Sequence, residues 1–271
     1  MPELPEVETT LKGIEPHVIH QKIMEVTIRH FGLRWPIAAN IKQILTHLRI
    51  DQLERRGKYL LFKTSKGTLI LHLGMSGRLR IVTAETPVQK HDHVDIEFGN
   101  HKILRFTDPR RFGAFLWTQE DPAEHELLKH LGPEPLSQDF SGHYLWEKSR
   151  SRKVAIKAFI MDSKVVVGVG NIYATEALFA AGIHPKLAAG KISASRYDLL
   201  AKEIKKILRS AIKQGGTTLK DFVNSEGKPG YFKLQLKAYG RKGLACVNCG
   251  TKMKEIRLGQ RSTVYCPTCQ K

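Results

Sequence analysis

The 271 residues carry 44 lysines and arginines against 26 acidic residues, a net charge of +18, with 41% hydrophobic and 26% charged residues. That balance excludes a disordered or fibrous chain, and no apolar run approaches the ~18 residues of a membrane span. The length leaves room for about two domains of roughly 100 to 200 residues each, and the excess of cations favours a polyanion such as nucleic acid, whose phosphates release counterions on binding.

Leu4, Val7, Leu11 and Ile14 recur at helical spacing, which predicts a short amphipathic helix beginning within a few residues of the N-terminus. Glu3, Glu6 and Glu8 stand where a signal peptide would need basic and then apolar residues, so a cytoplasmic protein is expected. From about Ile23 to Thr118 the texture is one of short β-prone runs, among them 58–63, 68–73, 79–82, 94–98, 103–107 and 114–118, broken by Gly, Asp and Asn turns. Many short strands in succession predict a sandwich or barrel. Gly132-Pro133-Glu134-Pro135 then punctuates the chain, and beyond it the apolar spacing turns helical through 144–146, 155–161, 172–181 and 197–212. The tail from Gly240 to Lys271 holds all four cysteines, and the chain shows neither internal repeats nor low-complexity tracts.

Cys246-x2-Cys249 and Cys266-x2-Cys269, separated by sixteen residues, fit the pattern of a four-thiolate zinc site. A pair of disulfides is the competing reading, and it is disfavoured in a cytoplasmic chain with no other cysteines. Four protein ligands leave no open position, so the zinc is expected to be structural. Lys252, Lys254, Arg257 and Arg261 lie between the ligand pairs, where a small hairpin could offer cations to a phosphate backbone or simply expose them to solvent.

At the other end, proline in second place implies removal of Met1, leaving Pro2 with a free secondary amine. Such an amine attacking an aldehydic carbon gives an iminium ion that stays cationic without a proton, an electron sink for later elimination. Its ordinary pKa of about 7.7 to 8.0 leaves some neutral nucleophile at physiological pH. Glu3 adjoins it and Glu6 lies one helical turn on, so one carboxylate could move protons and the other could bind. The same residues also suit a plain helix start, with proline early and acids complementing the dipole.

The opening Met1-Pro2-Glu3-Leu4-Pro5-Glu6-Val7-Glu8-Thr9, together with the cysteine tail, resembles the formamidopyrimidine-DNA glycosylases, bacterial repair enzymes that excise 8-oxoguanine and ring-opened purines. The likeness runs through Arg56-Gly57-Lys58-Tyr59, His72-Leu73-Gly74-Met75-Ser76-Gly77, Lys90-His91-Asp92-His93, Asp108-Pro109-Arg110-Arg111-Phe112-Gly113, Val167-Gly168-Val169-Gly170-Asn171, Gly215-Gly216-Thr217-Thr218, Tyr239-Gly240-Arg241 and Gln260-Arg261. It implies an α+β fold in four parts: a catalytic β-sandwich domain with its N-terminal helix over 1–131, a linker over 132–136, a helix-two-turn-helix DNA-binding domain with a base-recognition loop over 137–239, and a zinc finger over 240–271.

The resemblance also implies roles. Pro2 would be the nucleophile at the sugar C1′, Glu3 the proton-handling acid, Lys58 a proton donor in β-elimination, and Arg261 a participant in δ-elimination and phosphate binding. Glu6 with Gly216, Thr217 and Thr218 would contact the everted base, while Met75, Arg110 and Phe112 would fill the void it leaves. His91, Arg110, Arg152, Asn171, Tyr239 and Arg261 would contact DNA, with Arg152 departing from the lysine many relatives carry. From the residues alone, Met75 and Phe112 read by preference as sandwich core. Gly168–Asn171, leading into a helix at Ile172 with Asn171 as cap, reads either as a phosphate seat or as an ordinary turn. The expected protein is a monomeric glycosylase and lyase acting on double-stranded DNA, with one Zn2+ and no membrane partner. The alternatives are the sister specificity for oxidised pyrimidines and a zinc-containing nucleic-acid-binding module without chemistry.

Overall fold

The computed structural model describes residues 2–216 and 236–271. The chain divides into two compact units, one formed by residues up to His130 with the segment that begins at Gln214, the other by Leu131–Lys213 with the C-terminal tail.

In the first unit, α1 (Leu4–Val18) is followed by β1 (Ile23–Ile28), the short helix α2 (Ile41–Leu45) and seven further strands: β2 (Gln52–Arg56), β3 (Tyr59–Thr64), β4 (Gly67–His72), β5 (Arg78–Val82), β6 (Asp92–Phe98), β7 (Ile103–Thr107) and β8 (Ala114–Thr118). They form two four-stranded antiparallel sheets of order β1-β6-β7-β5 and β2-β3-β4-β8. Phe62, Leu69 and Leu71 of one sheet and Val94, Ile96, Leu104 and Phe106 of the other are buried in one core with Val7, Ile14 and Val18 of α1. These ten buried aliphatic or aromatic side chains would each contribute about 1.5–3 kcal/mol relative to exposure, which is why the β-prone texture resolves as a sandwich. The helix α2 interrupts a stretch that its β-prone texture alone presents as strands.

The second unit contains α3 (Gly142–Ser149), α4 (Ile156–Met161), α5 (Asn171–Ala180) and α6 (Ala194–Lys213), then the hairpin β9 (Lys254–Leu258) and β10 (Arg261–Tyr265). Residues Ile172 to Phe179 of α5 are all buried, the pattern of a central helix rather than a surface one. Phe179 packs with Ala238, Met253, Val264 and two of the cysteines, so the tail is built onto α5. Among the described residues no helix is long and apolar enough to cross a membrane. The mixed fold, with its sandwich, helical unit and cysteine-bearing hairpin, agrees with the architecture expected from the sequence.

Candidate active site and nucleic-acid interface

Pro2 is buried immediately before α1, and Glu3 is the N-cap of that helix, in extended conformation with φ −102°. Glu6, the third helical residue, returns its carboxylate to the Glu3 backbone N–H at 2.8 Å and completes a capping box. The helix-start reading and the catalytic reading therefore describe the same atoms. Both carboxylates are only 2% exposed. Gly216, at φ 80°, lies against Glu6: a β-carbon there would sit 3.1 Å from the Glu6 Oε1. The structure thus brings together Pro2, Glu3, Glu6 and Gly216, while Thr217 and Thr218 lie outside the described residues.

Lys58 occupies the two-residue turn between β2 and β3, where Gly57 takes the positive φ (58°) that a twist-matched hairpin turn needs. Arg55 reaches from the same hairpin to Glu8 of α1 at 2.8 Å and also donates to the Gly57 carbonyl at 3.0 Å, tying the Lys58 turn to the helix that begins the site. Across the hairpin, the ring of His72 meets that of Tyr59 at 4.7 Å, and His72 Nδ1 accepts the Gly74 N–H. Burial lowers its pKa to about 4, assisted by the positive charges of Lys58 and Arg34. His72 and Arg34 carry no role assigned from the sequence; the lowered pKa of the neutral imidazole reports, beyond burial, the positive field of Lys58 and Arg34, which would draw in an anion.

Met75 sits half-buried in the turn between β4 and β5, and Arg110 and Phe112 are exposed in the loop between β7 and β8. Phe112 is 42% exposed, which removes it from the sandwich core. The Arg110 guanidinium stacks over its ring at 4.9 Å. His91 enters the same neighbourhood, its carbonyl accepting the Asp108 N–H at 3.0 Å. The loop before it is held by Arg105, which donates to the Thr86 and Pro87 carbonyls while bound to Asp95. Burial alone would raise the Asp95 pKa, but hydrogen bonds from Arg105 and Arg29 hold it below the usual range.

In the second unit, Asn171 is the first residue of α5 and not its cap; Gly170 is the N-cap and contributes no side-chain hydrogen bond. Its amide oxygen instead accepts the Lys157 ammonium at 2.7 Å. That buried lysine also donates to Thr263 Oγ1 at 2.7 Å, so one cation joins the start of α5 to the strand that begins with Arg261. Arg261 follows the Gly259-Gln260 turn, both of whose φ angles are positive, 49° and 64°. Tyr239 is set by Glu176, whose carboxylate accepts the backbone N–H groups of Lys237, Ala238 and Tyr239 at 2.7–2.9 Å. Arg152 is exposed between α3 and α4, apart from these groupings. Lys157 and Glu176 were not singled out from the sequence. The available signal was one charge set in each of two otherwise apolar helical runs, Ile156–Met161 and Asn171–Ala180.

The four cysteine sulfurs lie within 4.8 Å of one another, with Cys246···Cys269 at 3.9 Å and Cys249···Cys266 at 3.5 Å. A tetrahedron of sulfurs about 2.3 Å from one ion has edges of about 3.8 Å, whereas a disulfide would need about 2.05 Å. The donor set fits zinc. Hydrogen bonds from Thr251 lower the Cys249 pKa to about 6, whereas the hydrogen bond with Cys249 raises that of Cys269 to about 12, so one thiolate forms at its neighbour's expense.

Three family models divide the chain between them. The formamidopyrimidine-DNA glycosylase N-terminal domain matches residues 1–115, the formamidopyrimidine-DNA glycosylase H2TH domain residues 131–223, and a zinc finger found in FPG and IleRS residues 243–271. The formamidopyrimidine-DNA glycosylase of Stutzerimonas stutzeri is 58% identical and that of Saccharophagus degradans 56%, each over the whole of both chains. The chain belongs to the formamidopyrimidine-DNA glycosylase family. It is thereby a DNA glycosylase of base excision repair with a structural zinc finger. Among solved structures, the Lactococcus lactis enzyme bound to DNA containing an abasic site is 34% identical, covers 99% of both chains and superposes with a TM-score of 0.91. A MutM complex with DNA containing carbocyclic 8-oxo-G is 35% identical over both full chains, with a TM-score of 0.92.

Proposed function

We propose that the chain removes 8-oxoguanine and formamidopyrimidines from double-stranded DNA and then cleaves the strand as an apurinic/apyrimidinic (AP) lyase, with Pro2 as the nucleophile. The observation that carries this reading is the pair of buried carboxylates, Glu3 and Glu6, beside a buried proline at the chain start, with Gly216 against Glu6. The likeness to enzymes solved on abasic-site and 8-oxo-G DNA supports the substrate.

The Pro2 nitrogen attacks C1′ of the damaged nucleoside, the N-glycosidic bond breaks, and the base leaves with its electron pair. Glu3 delivers a proton to the sugar as its ring opens, giving an iminium between Pro2 and C1′. The Glu3 carboxylate left by that step takes a C2′ proton, the C–H electron pair flows into the iminium, and the 3′ phosphate is expelled with Lys58 as its proton donor. A second elimination expels the 5′ phosphate, with Arg261 neutralising its charge. Glu6 and the segment from Gly216 through Thr218 read the everted base, while Met75, Arg110 and Phe112 occupy the space it leaves, offsetting an eversion cost of a few kcal/mol. His91, Arg152, Asn171 and Tyr239 line the DNA backbone. The zinc takes no part in these steps. The enzyme works as a monomer in the bacterial cytoplasm, on the nucleoid.

Borohydride should reduce the iminium to a covalent protein–DNA adduct on duplexes with 8-oxoguanine opposite cytosine. An N-terminal extension, which converts the amine into an amide, should abolish the adduct. Equal trapping of the extended and native chains rules out Pro2, and preferential excision of thymine glycol over 8-oxoguanine rules out the substrate.

A further inference from the structure

The turn at Leu73–Gly77 and the loop at Asp108–Gly113 come from different strand pairs, yet their backbones touch. A β-carbon at Gly74, itself at φ 62°, would lie 2.4 Å from the carbonyl carbon of Phe112, and one at Gly113 would lie 2.7 Å from the His72 carbonyl oxygen. Between them sits Asp108, which is fully buried. Its Oδ1 accepts the Ser76 hydroxyl and its Oδ2 the Gly113 N–H, each at 2.8 Å. The Ser76 oxygen in turn accepts the Arg110 N–H at 3.2 Å. The Asp108 carbonyl, which can only accept, receives a hydrogen bond from His93 Nε2 at 2.8 Å. One carboxylate and one hydroxyl therefore bind the backbone at Arg110 and beside Phe112 to the turn that carries Met75. Above this buried polar node stand an exposed ring and guanidinium.

We propose that Asp108 and Ser76 are positioning residues that lock Met75, Arg110 and Phe112 into one rigid wedge for the DNA stack, an inference that rests on the void-filling reading of those three side chains. Two loops that moved independently would have to be ordered at the moment of eversion, adding the lost freedom of each immobilised side chain to its cost. Hydrogen bonds to a buried carboxylate prepay that ordering in the free enzyme. Asparagine at 108 can keep the arrangement, its carbonyl accepting from Gly113 and its amide donating to the Ser76 oxygen, whereas alanine cannot.

The test compares single-turnover excision of 8-oxoguanine opposite cytosine with borohydride trapping on a duplex carrying an abasic site, which has no base to unstack. Asp108→Ala should slow excision roughly tenfold and Ser76→Ala about threefold, with abasic-site trapping changed by less than about twofold and Asp108→Asn near native. A uniform stability defect would slow both reactions together. Equal slowing on the two substrates, or unchanged excision, overturns the inference. Ser76→Ala deletes a single hydroxyl and carries the test alone if Asp108→Ala does not fold. Met75→Ala separates the two layers of argument. If it leaves the ratio of the two rates unchanged, the void-filling reading fails and this inference with it; if it lowers the ratio while the Ser76 and Asp108 variants do not, only the locking node is wrong.

Discussion

Within residues 2–130 Glu3, Glu6 and Lys58 stand on turns and caps a few residues long, with Asp108 and Ser76 as the one long-range node, whereas within 131–213 and 236–271 the side chains of the site stand on buried charges that grip segments far away in sequence. Glu3 and Glu6 are placed by a capping box three residues wide, Lys58 by a two-residue turn with Gly57 at φ 58°, and Met75 by the turn at Leu73–Gly77. Tyr239 depends on Glu176, sixty-three positions earlier, and Arg261 neighbours a strand held by Lys157, more than a hundred positions earlier. Local devices fail one at a time. A buried charge that holds several partners fails as a group, because its loss leaves every partner unsatisfied.

The largest effect should therefore come from the second unit. Removing zinc with a chelator, or changing Cys249 to Ser, should unfold the hairpin and abolish tight duplex binding, since structural zinc sites carry roughly 10–16 kcal/mol of apparent binding energy in small domains. Metal content and gel-shift affinity measured together decide this, and native affinity in zinc-free protein would show that the hairpin does not present Arg261. Next in size is Glu176→Ala, which leaves the N–H groups of Lys237, Ala238 and Tyr239 without the carboxylate that accepts them. A cost of about 2–3 kcal/mol in stability is expected, with more than a tenfold fall in strand cleavage. Denaturant midpoints and cleavage rates read the two effects, and a near-native variant would mean that three hydrogen bonds at Lys237–Tyr239 place nothing of consequence. In the first unit, Gly74→Ala should cost a comparable amount, because strain at its positive φ, about 1–3 kcal/mol, is joined by a β-carbon 2.4 Å from the Phe112 carbonyl carbon, observable as a lower midpoint in urea.

The same contrast explains what could be read in advance. The helical spacing of Leu4, Val7, Leu11 and Ile14 and the short β-prone runs broken by turn residues are local signals, and α1 and the sandwich follow from them. The cysteine spacing reports a tetrahedron because each C-x2-C loop closes on itself. Phe112 could not be placed from its residue type, since an aromatic after two arginines suits either a core or a solvent-facing loop. What takes it out of the core is Gly113 packing against His72 and Asp108, a contact between strands that are not neighbours in sequence. Asn171 seemed a cap because its residue type favours that role; Lys157, from another helix, draws its side chain elsewhere. Nothing periodic marks Lys157 or Glu176, only a charge where the pattern asks for an apolar residue.

The smallest expected effect belongs to the first unit and depends on pH. His72 has a pKa of about 4, below its ordinary 6.5, because burial and the charges of Lys58 and Arg34 disfavour the imidazolium. Its Nδ1 lone pair is already engaged by the Gly74 N–H at 3.0 Å, so protonation there also breaks a hydrogen bond. The unfolded chain takes up the proton first as the pH falls. The stability that neutral His72 contributes is therefore complete above about pH 6.5 and is lost progressively as the pH falls through about 4. Carboxylates titrate over part of the same interval, so the decisive quantity is the difference between the native protein and His72→Gln, whose amide oxygen has no proton to gain. The native urea midpoint should fall further than that of the variant between pH 7 and pH 4. Parallel curves would assign the acid sensitivity to other groups and leave the cationic surroundings of Lys58 without a titrating partner.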